Sequence, residues 1–371
     1  MRASPVFLVP ALLLAGCATS PPGGVATTAA ASRGTPSTMT APATTEAVDA
    51  LMRDYAGDVP GASVLVVRDG VAVVRRSYGL ADLERGVAAT PATNYRLASV
   101  TKQFTAAAIL LLAEDGKLDL DDRARKWLPS LPPAAGPVTI KHLLTHTSGL
   151  VDYEDVIPTT LSAQLRDGDV LRLLQSQDRL YFAPGTAYRY SNSGYALLAL
   201  IVERASGRRF PAFLRENIFL PLGMRDTMAY VPEGPAVAHR AWGYSHVEGT
   251  WTRTDQSQTS AVLGDGGIYS SIDDLARWDA ALYDDRLLGA QSWRMAFSPQ
   301  VKVDDEPGVE AYGFGWRVGP GTLWHSGETI GFRNVIVRHP QERLTVVLLT
   351  NRNDPEPHGA AQAIARLFDV E

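Results

Sequence analysis

Cysteine is almost absent: position 17 holds the only one in 371 residues, which excludes a disulfide framework and any cysteine-based zinc cluster. Lysine is scarce as well, with 5 against 30 arginines. No basic excess exists, since 35 Lys+Arg face 40 Asp+Glu for a formal net charge of -5. Nucleic-acid binding needs a basic stripe, so no nucleic-acid partner is expected. A Gly-x-Ser-x-Gly elbow is missing, which argues against an α/β-hydrolase. The 32 Gly and 24 Pro are dispersed as turns are, without a collagen-like period. What remains, at 45% hydrophobic and 20% charged, is the composition of a globular enzyme-sized domain.

The N-terminal stretch is set apart by composition. Arg2 precedes an apolar run, 6–15, too short to span a bilayer. It ends in Leu14-Ala15-Gly16-Cys17, which resembles a bacterial lipoprotein signal and its lipobox. That resemblance implies a signal peptide over 1–16, lipid attachment at Cys17 and anchoring in the cell envelope facing the periplasm, with Ala18 favouring the outer membrane. From 18 to 45, 25 of 28 residues are Ala, Thr, Ser, Pro or Gly. Such a segment buries too little apolar surface to offset chain entropy. Residues 17–45 therefore read as a lipidated cysteine and disordered tether, and 46–371 as the folded domain. Membrane contact is expected through the lipid alone.

Within the domain, 62–67 and 71–78 are β-branched runs joined by Arg68-Asp69-Gly70, a hairpin signal. Near the other end, 312–318, 321–325, 332–338 and 344–350 read as antiparallel strands, and 358–368 as an amphipathic helix. Helical patterns lie between, at 101–114, 140–145, 195–205, 211–218 and 272–283. The expected class is α+β: one antiparallel sheet built from both chain ends, flanked by helices, with a mainly helical lobe inserted.

Three motifs carry chemistry. Ser99-Val100-Thr101-Lys102 opens an apolar helix, and a spacing of three sets hydroxyl and amine on one face. In an arginine-rich chain this lysine is the anomaly, because a desolvated ammonium, unlike a guanidinium, can give up its proton. Tyr190-Ser191-Asn192 precedes the helical pattern at 195; all three of Ser191, Asn192 and Ser193 are good caps, and Asn192 also offers a donor and an acceptor to a substrate amide. His325-Ser326-Gly327-Glu328 lies at the end of a strand, where unpaired backbone N–H groups and a glycine permit close approach.

Together with Tyr95-Arg96-Leu97-Ala98, the run from Leu143 to Leu150, Pro184-Gly185-Thr186 and the run from Gly266 to Ser271, these motifs resemble the serine β-lactamase and penicillin-binding-protein superfamily. The nearest branch holds class C β-lactamases, D,D-carboxypeptidases, D-aminopeptidases and esterases. The resemblance implies a β-lactamase/transpeptidase-like fold and a serine hydrolase working through an acyl-enzyme, with no cofactor and no metal. Ser99 would be the nucleophile, and Lys102 and Tyr190 would share the proton transfers. The backbone N–H groups of Ser99 and Glu328 would form the oxyanion hole. Asn192 would hold the acyl-side amide, while His325, Ser326 and Gly327 would border the leaving group. Its substrate would be a small molecule or a peptidoglycan-derived one, with an ester, amide or D-amino-acid peptide carbonyl; D,D-peptidase and esterase activity stand level. Where class C lactamases carry Lys-Thr-Gly, this chain has His-Ser-Gly. A mostly neutral imidazole attracts a carboxylate less, which leaves β-lactam hydrolysis weak. Two alternatives stand beside this reading: a penicillin-binding sensor that is acylated with little turnover, and an interaction protein with vestigial motifs.

Simpler readings cover the rest. His142 and His146 have helical metal-ligand spacing but lack a third ligand, Asp273-Asp274 and the 304–306 acids read as solvated turns, and 313–316 reads as strand. The segments 151–157 and 234–260 carry no clear pattern, and oligomeric state is not legible.

Overall fold

The computed structural model describes residues 41–370; the signal, Cys17 and most of the tether lie outside them. Eight antiparallel strands form the main sheet, and their order explains why both chain ends look alike. From one edge it runs Val301–Lys302, Ala311–Tyr312, Arg317–Gly319, Thr322–Thr329, Phe332–His339, Leu344–Thr350, Ala62–Arg68 and Val71–Tyr78. The N-terminal hairpin docks on the last C-terminal strand with Ala62 opposite Thr350 and Arg68 opposite Leu344.

Alternation along the strands divides two cores. Val64, Val66, Val335, Val337, Val346 and Leu348 face the helices at the chain ends, with Val48 and Ile364 among their neighbours. Leu65, Val67, Ile336, Val347 and Leu349 face the other way, into a larger core shared with the inserted helices. Both faces are covered, so the middles of the central strands carry apolar residues on both sides. The first helix, Ala41–Leu51, takes in residues 41–45, which composition assigns to the tether. Val48 is fully buried, so packing against the sheet rather than local propensity supports this helix.

Two helices build the centre of the inserted lobe. Lys102–Glu114 is buried on nearly every side, as an all-round apolar helix must be. Asn192–Ser206 packs beside it and ends at Gly207 in the left-handed conformation.

Three expectations need correction. Residues 312–318 do not form one strand: Gly313 to Trp316 leave the sheet between two short strands, and Gly315 takes a φ of 77°. A side chain at 315 would stand 2.7 Å from the carbonyl oxygen of Lys102, so this glycine lets the sheet edge seat against the helix start. The 322 strand does not stop at His325 but runs through to Thr329. Asp274 is not a solvated turn residue; it is buried and accepts hydrogen bonds from the backbone of Asp226 and Thr227 and the Thr227 hydroxyl.

Candidate active site

The nucleophile motif begins on a strained turn. Ala98 has a φ of 49°, a left-handed conformation costing a non-glycine residue about 1–3 kcal/mol. It leads into the 3-10 turn Ala98–Thr101, which runs directly into the helix beginning at Lys102. Ser99 is thereby lifted to the floor of a cleft of about 530 Å³, while Lys102 is wholly buried behind it.

The expected shared face is present. Lys102 Nζ lies 2.9 Å from Ser99 Oγ, 2.8 Å from Asn192 Oδ1 and 3.0 Å from the backbone oxygen of Asp265. These three contacts serve two protonation states. An ammonium donates to all three; a neutral amine donates to Asn192 and Asp265, and its lone pair then faces the Ser99 hydroxyl.

The Tyr190 turn is fixed from two sides. Ser191 caps the helix from Asn192, its hydroxyl accepting from Gly194 N. Asp152, in a segment the sequence left unread, accepts from Asn192 N at 2.6 Å and Ser193 N at 3.3 Å. His146 accepts from Ser191 N through Nδ1 at 3.1 Å, its ring 4.3 Å from that of Tyr190. Burial, then the Lys102 and Arg317 charges, hold this imidazole well below the usual histidine pKa. It is a neutral support. The helix containing His142 ends at Leu144, and His146 has a φ of 59°, so the two imidazoles do not share a helical face. His142 Nδ1 instead accepts from Thr139 N. The Tyr190 hydroxyl has no hydrogen-bond partner among the described residues.

The third motif is where the structure departs most from expectation. Ser326 and Glu328 line the cleft, but His325 does not; its side chain is wholly buried. His325 Nδ1 donates to the Ser326 carbonyl at 2.6 Å, so Nε2 accepts from the Tyr312 hydroxyl at 3.0 Å. Burial first, then Arg317 and Lys102, drive its pKa well below 6.5. His325 is therefore not placed to meet a substrate carboxylate. Arg317 lines the cleft in its place, with Cζ 5.3 Å from the Tyr190 ring centre. Glu306 holds that guanidinium at 2.5 Å, so one of the acids expected to be solvated anchors a cleft residue. The Glu328 carboxylate turns to Arg333 at 2.6 Å, which offsets its charge.

Gly327 brings the strand against the nucleophile turn: a side chain there would stand 2.0 Å from the Leu97 carbonyl oxygen. Ser99 and Glu328, whose N–H groups are the expected oxyanion donors, border the same cleft. Composition and spacing missed Asp152, Glu154, Asp265 and Arg317. Only Arg317 left a local signal, the Gly-Phe-Gly-Trp run before it that interrupts a strand. The others arrive by long-range packing.

Comparison with known proteins agrees with this geometry. The Beta-lactamase family model matches residues 46–370. Penicillin-binding protein 4* of Bacillus subtilis (strain 168) is 34% identical over 314 residues, covering 79% of this chain and 68% of that protein. D-aminopeptidase of Gluconobacter oxydans (strain 621H) is 32% identical over 335 residues, covering 87% of this chain and 61% of its own. The chain thus spans about three fifths to two thirds of these curated relatives. Among solved structures, D-amino acid amidase from Ochrobactrum anthropi SV3, complexed with L-phenylalanine amide, superposes with a TM-score of 0.75 at 26% identity, covering 88% of this chain and 96% of its own. A match over nearly the whole described chain, on the fold and with the motifs in place, makes this protein a member of the β-lactamase family of serine hydrolases.

Proposed function

We propose that the protein hydrolyses an amide, peptide or ester carbonyl through an acyl-enzyme on Ser99, with preference for leaving groups that carry a carboxylate. The observation that carries the reading is the buried Lys102 amine at 2.9 Å from Ser99 Oγ. In its neutral form Lys102 takes the Ser99 proton as Oγ attacks the carbonyl carbon. The N–H groups of Ser99 and Glu328 receive the negative charge that forms on the carbonyl oxygen. Tyr190, whose hydroxyl has no hydrogen-bond partner among the described residues, hands a proton to the leaving nitrogen or oxygen and recovers one from the Lys102 ammonium. Asn192 holds the acyl-side amide; its carbonyl oxygen is oriented by Lys102.

Carboxylate preference rests on Arg317. A guanidinium stays charged and binds carboxylates in a fork, so the cation lost with the lysine of Lys-Thr-Gly returns from the neighbouring strand. D-amino-acid peptides fit this arrangement, as the names of the D-aminopeptidase and D-amino acid amidase relatives also suggest. On the same reading the domain works in the cell envelope, tethered by lipid on Cys17; palmitate labelling that survives Cys17→Ser would refute the anchor.

A matched pair of substrates tests the function: an acylated D-Ala-D-Ala peptide and its C-terminal amide. The carboxylate form should be cleaved with the higher kcat/KM, and Ser99→Ala should cleave neither. Equal rates on the two forms would remove Arg317 from the account. Acylation by penicillin or peptide without product release would instead favour a sensor.

A further inference from the structure

Beside Ser99 the cleft continues into a small niche of about 40 Å³ that Tyr190, Arg317 and Ser326 do not border. Its walls are polar, and they include Arg96, Tyr153, Glu154, Asn192 and Asp265 along with Ser99 itself. The volume suffices for at least one ordered water, which needs about 10–15 Å³ and two to four polar partners.

Arg96, on the wall of the niche, has donors left to satisfy. Its side chain is 2% exposed and donates through Nη2 to the Ser260 carbonyl at 2.7 Å. Nε and Nη1 are buried without a partner among the described residues. Buried guanidinium donors are costly to leave unpaired, and an acceptor is required beside them. A water oxygen supplies one.

Three acidic residues stand on the wall; Glu328 is paired with Arg333, and acylation uses neither of the other two carboxyls. Asp265 is buried; its Oδ2 accepts from the Tyr153 hydroxyl at 2.8 Å, and burial pushes it up to about 8 despite the Lys102 charge. It stays largely protonated at neutral pH and offers no base. Glu154 differs in keeping access to the cleft. Its backbone N–H is fixed by Asp152 Oδ1 at 3.1 Å. Desolvation and then the Asp152 charge raise its carboxyl above the usual value, which makes it a better proton acceptor than an ordinary glutamate.

We propose that this niche holds the water that releases the acyl group, oriented by Arg96, and that Glu154 is its general base. The inference rests on the acyl-enzyme reading above. In the step, the water oxygen bonds to the acyl carbon as its proton passes to the Glu154 carboxylate. The tetrahedral intermediate then collapses, the bond from carbon to Ser99 Oγ breaks, and Glu154 returns the proton to Oγ. The product leaves as a free acid, and the enzyme is restored with its protons in balance.

The test uses p-nitrophenyl acetate, whose acyl group carries neither charge nor amide, so any effect of the Glu154 charge on substrate binding is silent. Stopped-flow absorbance reads acylation and turnover, and intact mass reads the acetyl adduct on Ser99. Glu154→Gln should still release p-nitrophenol in a first turnover, showing an intact nucleophile and fold, while turnover falls about 100-fold to 10,000-fold. The acetyl adduct should accumulate, and hydroxylamine, a nucleophile strong enough to need no base, should discharge it. Turnover at the wild-type rate, or an equal loss in acylation and turnover, would overturn the proposal. A wild-type protein that forms p-nitrophenol without involving Ser99 would instead sink the acyl-enzyme reading, a failure separable from that of Glu154.

Discussion

A methyl group at position 327 tests the closeness of strand and nucleophile on which the site depends. In the present geometry the added Cβ of Gly327→Ala would stand 2.0 Å from the Leu97 carbonyl oxygen and 3.3 Å from Ala98 Cβ. An ordinary contact needs about 3.4 Å, so strand and turn must separate by more than an ångström, a typical overpacking cost of about 1–3 kcal/mol. Function should suffer more. Displacing the strand moves the Glu328 N–H away from the carbonyl oxygen it is proposed to stabilise. Loss of one such donor costs about 2.7–4 kcal/mol, or roughly 100-fold to 1,000-fold in rate. Burst kinetics with an activated ester report acylation, and urea unfolding reports stability. Acylation should fall by at least 100-fold while the protein stays folded at 25 °C. Acylation within threefold of wild type would show that the strand is free to retreat, and would refute the close-approach argument together with the Glu328 donor.

Other perturbations probe separate parts of the account. Arg317→Gln should lower kcat/KM for a carboxylate-terminated peptide at least tenfold more than for its amide, measured side by side; equal losses would mean that the arginine only packs. Asp279 is 1% exposed and accepts from Arg338 at 3.1 Å and Thr345 at 2.7 Å, so Asp279→Ala strands a buried guanidinium and should cost about 3–5 kcal/mol in urea unfolding. The Asp265 carboxyl, raised to about 8 when folded, binds a proton that the unfolded chain has already lost above pH 4. Its contribution to stability is therefore present at low pH and lost as pH rises toward 8. Relative to Asp265→Asn, the wild type should lose about 2 kcal/mol between pH 6 and 8; parallel profiles would contradict that environment.

Sequence pattern shows the sheet because its central strands carry runs of β-branched residues, whereas Ser99, Lys102, Tyr190 and Asn192 are singled out by the resemblance of their motifs to a known family. The structure brings these four together beside one cleft. Sequence pattern fails where function depends on tertiary contact. A neutral, buried His325 cannot be told from an exposed one by its neighbours in sequence, since the difference lies in Tyr312 and Arg317 packing against it. Gly313 and Gly315 lie among residues of strand character, and it is the Ala296 carbonyl against Gly313 and the Lys102 carbonyl behind Gly315 that explain why the strand breaks. Asp152 reaches Asn192 across 40 residues, and Asp265 reaches Tyr153 across 112. No local rule records either.

The central claim is that Ser99 carries the acyl group, and mass spectrometry tests it most directly. The protein would be mixed with p-nitrophenyl acetate and, separately, with benzylpenicillin, then quenched in acid and digested for peptide mapping. The account predicts an adduct of the acyl mass confined to the peptide bearing Ser99, absent from Ser99→Ala and from Lys102→Arg. An adduct on another residue, or undiminished turnover in Ser99→Ala, would contradict it.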